Sequence, residues 1–147
     1  MNQLTPVKSA YIAGFLDGDG SIYVRLKPNK TYKYGFQVAP YIVFYQSQKQ
    51  IEILEALKEI VGAGYIRLRK DGIAEYTIGD VLSMRELINQ IGTYLILKSK
   101  QAQLLIKILD SKTKVKSSKD FEQVAMLIDK FSELNYSKKR KINRFKS

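Results

Sequence analysis

Apolar positions along the chain recur with two periods, and the switches between them mark out its elements. Ala10, Ile12, Ala13 and Phe15 follow helical spacing after Thr5-Pro6, a pair that reads as an N-cap with proline at the first helical position. Two glycines among two aspartates at Asp17-Gly18-Asp19-Gly20 are expected to stop that helix in a turn. From Ser21 the period becomes two, with Ile22, Val24 and Leu26 alternating with Tyr23, Arg25 and Lys27. After a turn-rich connection from Pro28 to Thr31, alternation resumes. Phe36, Val38, Ile42 and Phe44 share one face of a second strand, and Gln37, Ala39, Tyr41, Val43 and Tyr45 the other. Pro40 has no N–H to give a ladder, so it points to an edge position or a bulge.

Helical spacing returns at Ile53, Leu54, Leu57, Ile60 and Val61 and ends at Gly62-Ala63-Gly64. Shorter strands are predicted at Tyr65 to Arg69 and Glu75 to Ile78, joined by an Asp71-Gly72 turn. Three helical stretches follow, centred on Val81 to Ile91, Gln101 to Leu109 and Phe121 to Leu134, the last with Phe121, Val124, Leu127, Ile128, Phe131 and Leu134 on one apolar stripe. Lysines crowd the loop between the last two, and the chain closes on a basic tail, 136–147. The order αββαββααα describes one α+β domain over 1–147: a four-stranded antiparallel sheet with helices on one face. No repeat interrupts it.

A sheet covered on one side leaves its other face to water or a ligand. Alternation assigns Arg25, Lys27, Gln37, Tyr41, Tyr45, Tyr65, Arg67, Arg69, Glu75 and Thr77 to that open face. Composition sharpens the picture. Lys and Arg number 25 against 14 Asp and Glu, a net charge of +11, which favours a polyanionic partner. Long basic, amide and phenolic side chains on a curved sheet can reach base edges, so double-stranded DNA is the partner expected. The chain has neither His nor Cys. That excludes zinc sites of the usual kind, thiol catalysis and imidazole bases. Catalysis from this alphabet needs carboxylates, lysine and a hard cation such as Mg²⁺ held through oxygen. No apolar run reaches the roughly 20 residues of a membrane span. Met1 to Lys8 has no signal-like layout, so a soluble, intracellular protein is expected.

The run Ile12-Ala13-Gly14-Phe15-Leu16-Asp17-Gly18-Asp19-Gly20-Ser21 resembles the signature of LAGLIDADG homing endonucleases. The resemblance extends to Lys27-Pro28-Asn29, Gly62-Ala63-Gly64-Tyr65-Ile66-Arg67, Lys98-Ser99-Lys100-Gln101-Ala102 and Leu134-Asn135-Tyr136-Ser137-Lys138. These match the single-motif, homodimeric branch known from algal chloroplast ribosomal RNA introns. Known members carry a longer tail, which implies shortening after Ser147. A chloroplast setting is likewise implied by resemblance alone.

The resemblance implies an enzyme that cuts both strands of a long, pseudo-palindromic DNA target and so promotes intron mobility. Ala10, Ala13, Gly14 and Asp17 would line a dimer interface in which two motif helices cross closely. Asp19 and the Gly18 carbonyl of each chain would hold Mg²⁺, two or more ions per dimer, with Mn²⁺ able to substitute. Gln46 and Lys98 join Asp19 as catalytic residues, ordering water and offsetting charge. Asp17 is assigned to capping its helix and supporting the interface. DNA contacts are expected from the open-face set with Asn29, Thr31, Tyr32 and Val43, and from Ser137, Lys138 and Lys141 in the tail. Gln50 stands where close relatives carry Arg, and neighbouring Lys49 is the candidate replacement. Asp17 to Ser21 also begins like a calcium loop, but Ile22 and Pro28 occupy positions that need Gly and Glu. An RNA-splicing maturase and a non-catalytic DNA-binding regulator on the same fold stay open as alternatives.

Overall fold

The structure, a computed structural model, describes residues 1–135, so Ser137, Lys138 and Lys141 lie outside the described residues. Its elements follow the expected order: α1 (Pro6–Asp19), β1 (Gly20–Pro28), β2 (Phe36–Ser47), α2 (Ile51–Val61), β3 (Tyr65–Leu68), β4 (Ile73–Ile78), α3 (Val81–Ile91), α4 (Ser99–Thr113) and α5 (Ser118–Leu134). Short 3-10 turns at Gln48–Gln50 and Gly92–Tyr94 have no counterpart in the pattern.

Thr5 caps α1 as expected, its hydroxyl accepting from Lys8 N at 3.2 Å. The end of α1 differs from expectation. Instead of breaking at Asp17-Gly18, the helix continues through Asp19, and the Gly20 N–H donates to the Leu16 carbonyl. One internal glycine costs a helix only about 1 kcal/mol relative to alanine. Burial of Leu16 and the tertiary hydrogen bonds of Asp17 outweigh that cost. Gly20 then makes the change from helix to strand within one residue. A Cβ there would lie 2.8 Å from the Leu16 carbonyl oxygen and run into the Leu16 side chain.

The strands form one antiparallel sheet in the order β1-β2-β4-β3. Ile22 faces Ile42, Ile42 faces Ile78, and Ile66 faces Tyr76. Pro40 sits opposite Val24 in an uninterrupted ladder, so the bulge is not formed. The edge reading holds locally, because β4 pairs with β2 only from Ile42 onward. Gly62 closes α2 in the left-handed region at φ 76°.

Every second strand residue faces the helices. Ile22, Val24, Val38, Ile42, Phe44, Ala74, Tyr76 and Ile78 are buried with Ile12, Leu16, Leu57, Leu87 and Leu105. Tyr76 stacks on Phe44 at 5.5 Å and donates its hydroxyl to the Ala63 carbonyl at 2.6 Å. Burial raises the Tyr76 pKa, which keeps that hydroxyl a donor.

Candidate active site and nucleic-acid face

The carboxyl end of α1 concentrates negative charge. Helix dipoles sum toward the last turn, where carbonyl oxygens lack helical partners, and this last turn carries Gly18 and Asp19. Gly18 and Asp19 are exposed, and among the described residues no donor is bound to the Asp19 carboxylate. A carboxylate beside main-chain oxygens at a helix end suits a hard cation such as Mg²⁺. No three His, Cys, Asp or Glu side chains gather into a metal-holding cluster among the described residues.

Two other expected site residues converge on this end. Gln46 lies two residues beyond the Gly20–Phe44 pair, past the start of β1 and on the helix-covered side. It is half-buried, and its Oε1 accepts from Ser47 N at 3.2 Å. Lys98 approaches from the turn before α4 and donates Nζ–H to the Asp17 carbonyl at 3.0 Å. Burial lowers the Lys98 pKa, and the Asp17 charge opposes part of that shift. The Asp17 carboxylate accepts from the backbone N–H groups of Ile96, Leu97 and Lys98 at 2.8, 3.1 and 3.0 Å. Asp17 therefore caps the entry to α4 rather than its own helix. Capping its own helix would require Asp17 at the opposite end, where the free N–H groups are.

Ala13, expected at a dimer contact, is buried in its own protomer's core and is removed from that set. Ala10, Gly14 and Gly18 do form an exposed small-residue stripe, flanked by Val7 and Tyr11. Sequence reasoning missed Ile96 and Leu97, which are 89% and 68% exposed beside the same end of α1. The apolar run Tyr94-Leu95-Ile96-Leu97, outside any periodic stretch, was the available signal.

The open sheet face is a hollow of about 690 Å³ lined by all four strands, with Arg25, Lys27, Tyr45, Tyr65, Arg67 and Glu75 on its walls. Tyr23 belongs to it as well, although sequence reasoning left it out; its parity with Arg25 and Lys27 was the missed signal. Gln37 shares the face but stands outside the hollow, near the end of the β1–β2 hairpin. Val43 and Thr77 are corrections. Val43, 1% exposed, is buried beneath the face rather than on it, whereas Thr77, its partner across β2 and β4, is 4% exposed and still lines the floor of the hollow. In the hairpin loop, the Asn29 Oδ1 accepts from the Thr31 N–H and hydroxyl, while Tyr32 is exposed.

The basic side chains on the face are held in place. Glu75, only 14% exposed, pairs with Arg67 at 3.0 Å and Arg69 at 3.4 Å, and Asp71 takes Arg69 at 2.6 Å. Both guanidiniums are thus engaged by carboxylates on the same face. Arg25 lies over the Tyr23 ring at 5.2 Å. Lys27 donates to the Tyr41 hydroxyl at 2.5 Å. Burial first, then the Tyr45 phenol, raises the Tyr23 pKa; burial and then Glu75 raise that of Tyr45. Both phenols remain protonated donors.

This architecture defines an α+β protein with a basic, open sheet face and, at that sheet's root, an exposed carboxylate at the end of a helix. The chain belongs to the LAGLIDADG endonuclease family, whose model matches residues 12–109. It is 36% identical over 132 residues to DNA endonuclease I-CreI of Chlamydomonas reinhardtii, covering 89% of this chain and 80% of that one. With DNA endonuclease I-CvuI of Chlorella vulgaris it shares 32% identity over 136 residues, 92% of this chain and 84% of that one. A crystal structure of I-CvuI with the I-CreI target and 2 mM Mg, its DNA uncleaved, superposes with a TM-score of 0.82 at 31% identity, covering 87% and 82% of the two chains. A second, of I-CvuI with its own target and 2 mM Ca, gives 0.83 at 31% identity, covering 88% and 82%. No helix among the described residues is long and apolar enough to cross a membrane.

Proposed function

We propose that the chain is a homing endonuclease that acts as a homodimer and hydrolyses both strands of a pseudo-palindromic DNA target. The observation that carries this reading is the placement of Asp19 at the root of β1, the strand that also carries Tyr23, Arg25 and Lys27 on the open face. The oxygen ligands and the reading surface are consecutive in the chain, so docked DNA meets both.

Dimerisation completes the site. The Ala10, Gly14 and Gly18 stripe lets a second α1 approach closely, and exposed Val7, Tyr11, Ile96 and Leu97 supply apolar surface around it. Such a crossing brings two Asp19 carboxylates and two Gly18 carbonyls together, the ligand number that one chain lacks. The cation implied is Mg²⁺, two or more per dimer, with Mn²⁺ as a substitute; when bound it supplies Lewis-acid activation of water and charge stabilisation at the departing 3′-oxygen. Gln46 orients the attacking water through its amide. Lys98 offsets charge developing on the phosphate. Arg25, Lys27, Gln37, Tyr41, Tyr45, Tyr65, Arg67, Arg69 and Glu75 read or position bases, with Tyr23 beside them, above a floor that includes Thr77, with Val43 buried beneath it. Asn29, Thr31 and Tyr32 meet DNA from the hairpin loop, and Ser137, Lys138 and Lys141 contact phosphates. An intron-borne gene in a chloroplast is the setting we infer, on resemblance to the algal relatives.

Incubation of the protein and its Asp19→Asn variant with Mg²⁺ and DNA libraries tests the reading. Cleavage by the parent alone, with binding retained in the variant, is expected. Cutting by Asp19→Asn at the parent's rate would remove Asp19 from the centre. A shifted but uncut duplex for the parent would indicate a regulator, and splicing of precursor RNA without DNA cleavage a maturase.

A further inference from the structure

We infer that Phe121, on the helical layer and away from DNA, is a positioning residue that sets base preference at the outer end of each half-site. The inference rests on the proposed sheet-face reading and concerns how its far end is held.

β1 leaves the metal-binding end at Gly20 and runs nine residues to Pro28, about 27 Å away. The hairpin tip therefore addresses the base pairs farthest from the cleavage centre. It also lies where the sheet is narrowest. β4 pairs with β2 no further than Ile42, so Val24–Pro28 and Phe36–Pro40 form a two-stranded ribbon projecting past the four-stranded region. Two-stranded ribbons are marginal on their own. Yet this ribbon and its loop carry Arg25, Lys27, Gln37, Asn29, Thr31 and Tyr32.

Support at the tip comes from α5. Phe121 stacks on Tyr34 at 5.3 Å and 22° between planes, and on Phe36 at 6.4 Å and 18°. These rings flank Gly35, whose φ of 81° turns the loop back into β2 and whose carbonyl accepts from Asn29 N at 2.8 Å. Phe121 is itself anchored. It occupies the first turn of α5, where Ser117 Oγ accepts from Asp120 N at 3.1 Å and the Ser117 carbonyl from Phe121 N at 3.1 Å. The capped helix start, one ring and two loop rings thus form a fixed strut beneath the projecting ribbon. Loop residues read bases only as sharply as their backbone is held, so loosening the strut blurs the outer positions first.

The experiment is selection of cleavable sites from a library randomised across the half-site, applied to the parent, Phe121→Ala, Phe121→Tyr, Phe131→Leu and Arg67→Ala. Phe131 is buried in the same helix and makes none of the ring contacts, so Phe131→Leu controls for general loss of stability. Phe121→Ala should lose about tenfold discrimination at the outermost base pairs, the size of one mismatch penalty, while inner positions and kcat on the parent target hold. Phe121→Tyr should restore the parent profile, and Phe131→Leu should keep it. An unchanged Phe121→Ala profile, or one relaxed equally at inner positions or matching that of Phe131→Leu, overturns the inference. If Arg67→Ala also leaves every position unchanged, the sheet-face reading itself is wrong and the inference falls with it; if Arg67→Ala relaxes an inner position while Phe121→Ala changes nothing, only the strut is lost.

Discussion

Asp17 and Lys98 hold each other from both ends: the Asp17 carboxylate accepts the Lys98 backbone N–H at 3.0 Å, and the Asp17 carbonyl accepts Lys98 Nζ–H at 3.0 Å. The pairing fixes a lysine 81 residues further along the chain against the helix that carries Asp19. It also has a sign that can be measured. Burial lowers the Lys98 pKa from its ordinary value and the Asp17 charge resists that fall. Lys98 therefore loses its proton at lower pH than a free lysine does, and activity that needs the ammonium falls on the alkaline side. Stability moves the other way. Folding disfavours the charged form, so this group's contribution improves as pH rises through the folded pKa toward the unfolded one. Asp17→Asn removes the charge that holds the pKa up, so the alkaline limb of the pH–rate profile should shift to lower pH. An unmoved limb, with the fold intact by circular dichroism, would mean that Lys98 does not act through its charge.

The turn after Asp19 gives a second prediction. Gly20→Ala places a methyl 2.8 Å from the Leu16 carbonyl oxygen and against the buried Leu16 side chain. Relief requires moving the end of α1, which carries Gly18 and Asp19. Overpacking of this kind costs about 1–3 kcal/mol. Thermal unfolding should report the loss, and cleavage at a temperature where both proteins are folded should fall as well. Unchanged cleavage would show that Asp19 tolerates displacement.

The element order and the identity of most of the open face were legible because alternation has a strict period of two, and each side chain's face follows from its parity. Tyr23 belonged to that face by the same parity. What parity cannot reveal is depth. Val43 and Thr77 have the outward parity of Arg25 and Glu75, yet their shorter side chains are almost wholly buried, and only Thr77 reaches the hollow. Asp17 posed a different difficulty. Its partners are 79 to 81 residues away, so no local pattern could connect it to Ile96, Leu97 and Lys98. The Asp17-Gly18 helix break failed for the same reason, since tertiary bonds overrode a weak local preference.

The exposed stripe on α1 makes dimerisation testable apart from chemistry. No neighbouring atom lies within 4 Å of a Cβ built on Gly14 or Gly18, so larger side chains there are harmless to the isolated protomer. They would instead hold a second helix away. Gly14→Leu should leave the protomer's circular dichroism unchanged, shift sedimentation toward monomer and abolish double-strand cleavage. A Gly14→Leu dimer that still cuts would place the interface elsewhere.

Glu75 decides how the basic face is presented. It draws Arg67 and Arg69 together, and because both guanidiniums are open to solvent each pair is worth only about 0.2–1 kcal/mol, little enough for DNA to compete. The carboxylate has two opposing effects on binding. It repels phosphates, lowering affinity for every sequence, and it aims the guanidiniums, so that one base fits better than the rest. Glu75→Gln removes the charge while keeping a side chain of similar shape. Affinity should therefore rise for matched and mismatched sites alike, and the gap between them should narrow. Arg67→Ala should behave differently, losing about 1–3 kcal/mol for its preferred base and little for the others. Binding titrations of both variants on matched and single-mismatch duplexes, at two salt concentrations, separate the effects. If Glu75→Gln raised affinity while leaving the gap intact, Glu75 would be a charge brake alone, and the aim of Arg67 would have to come from β3.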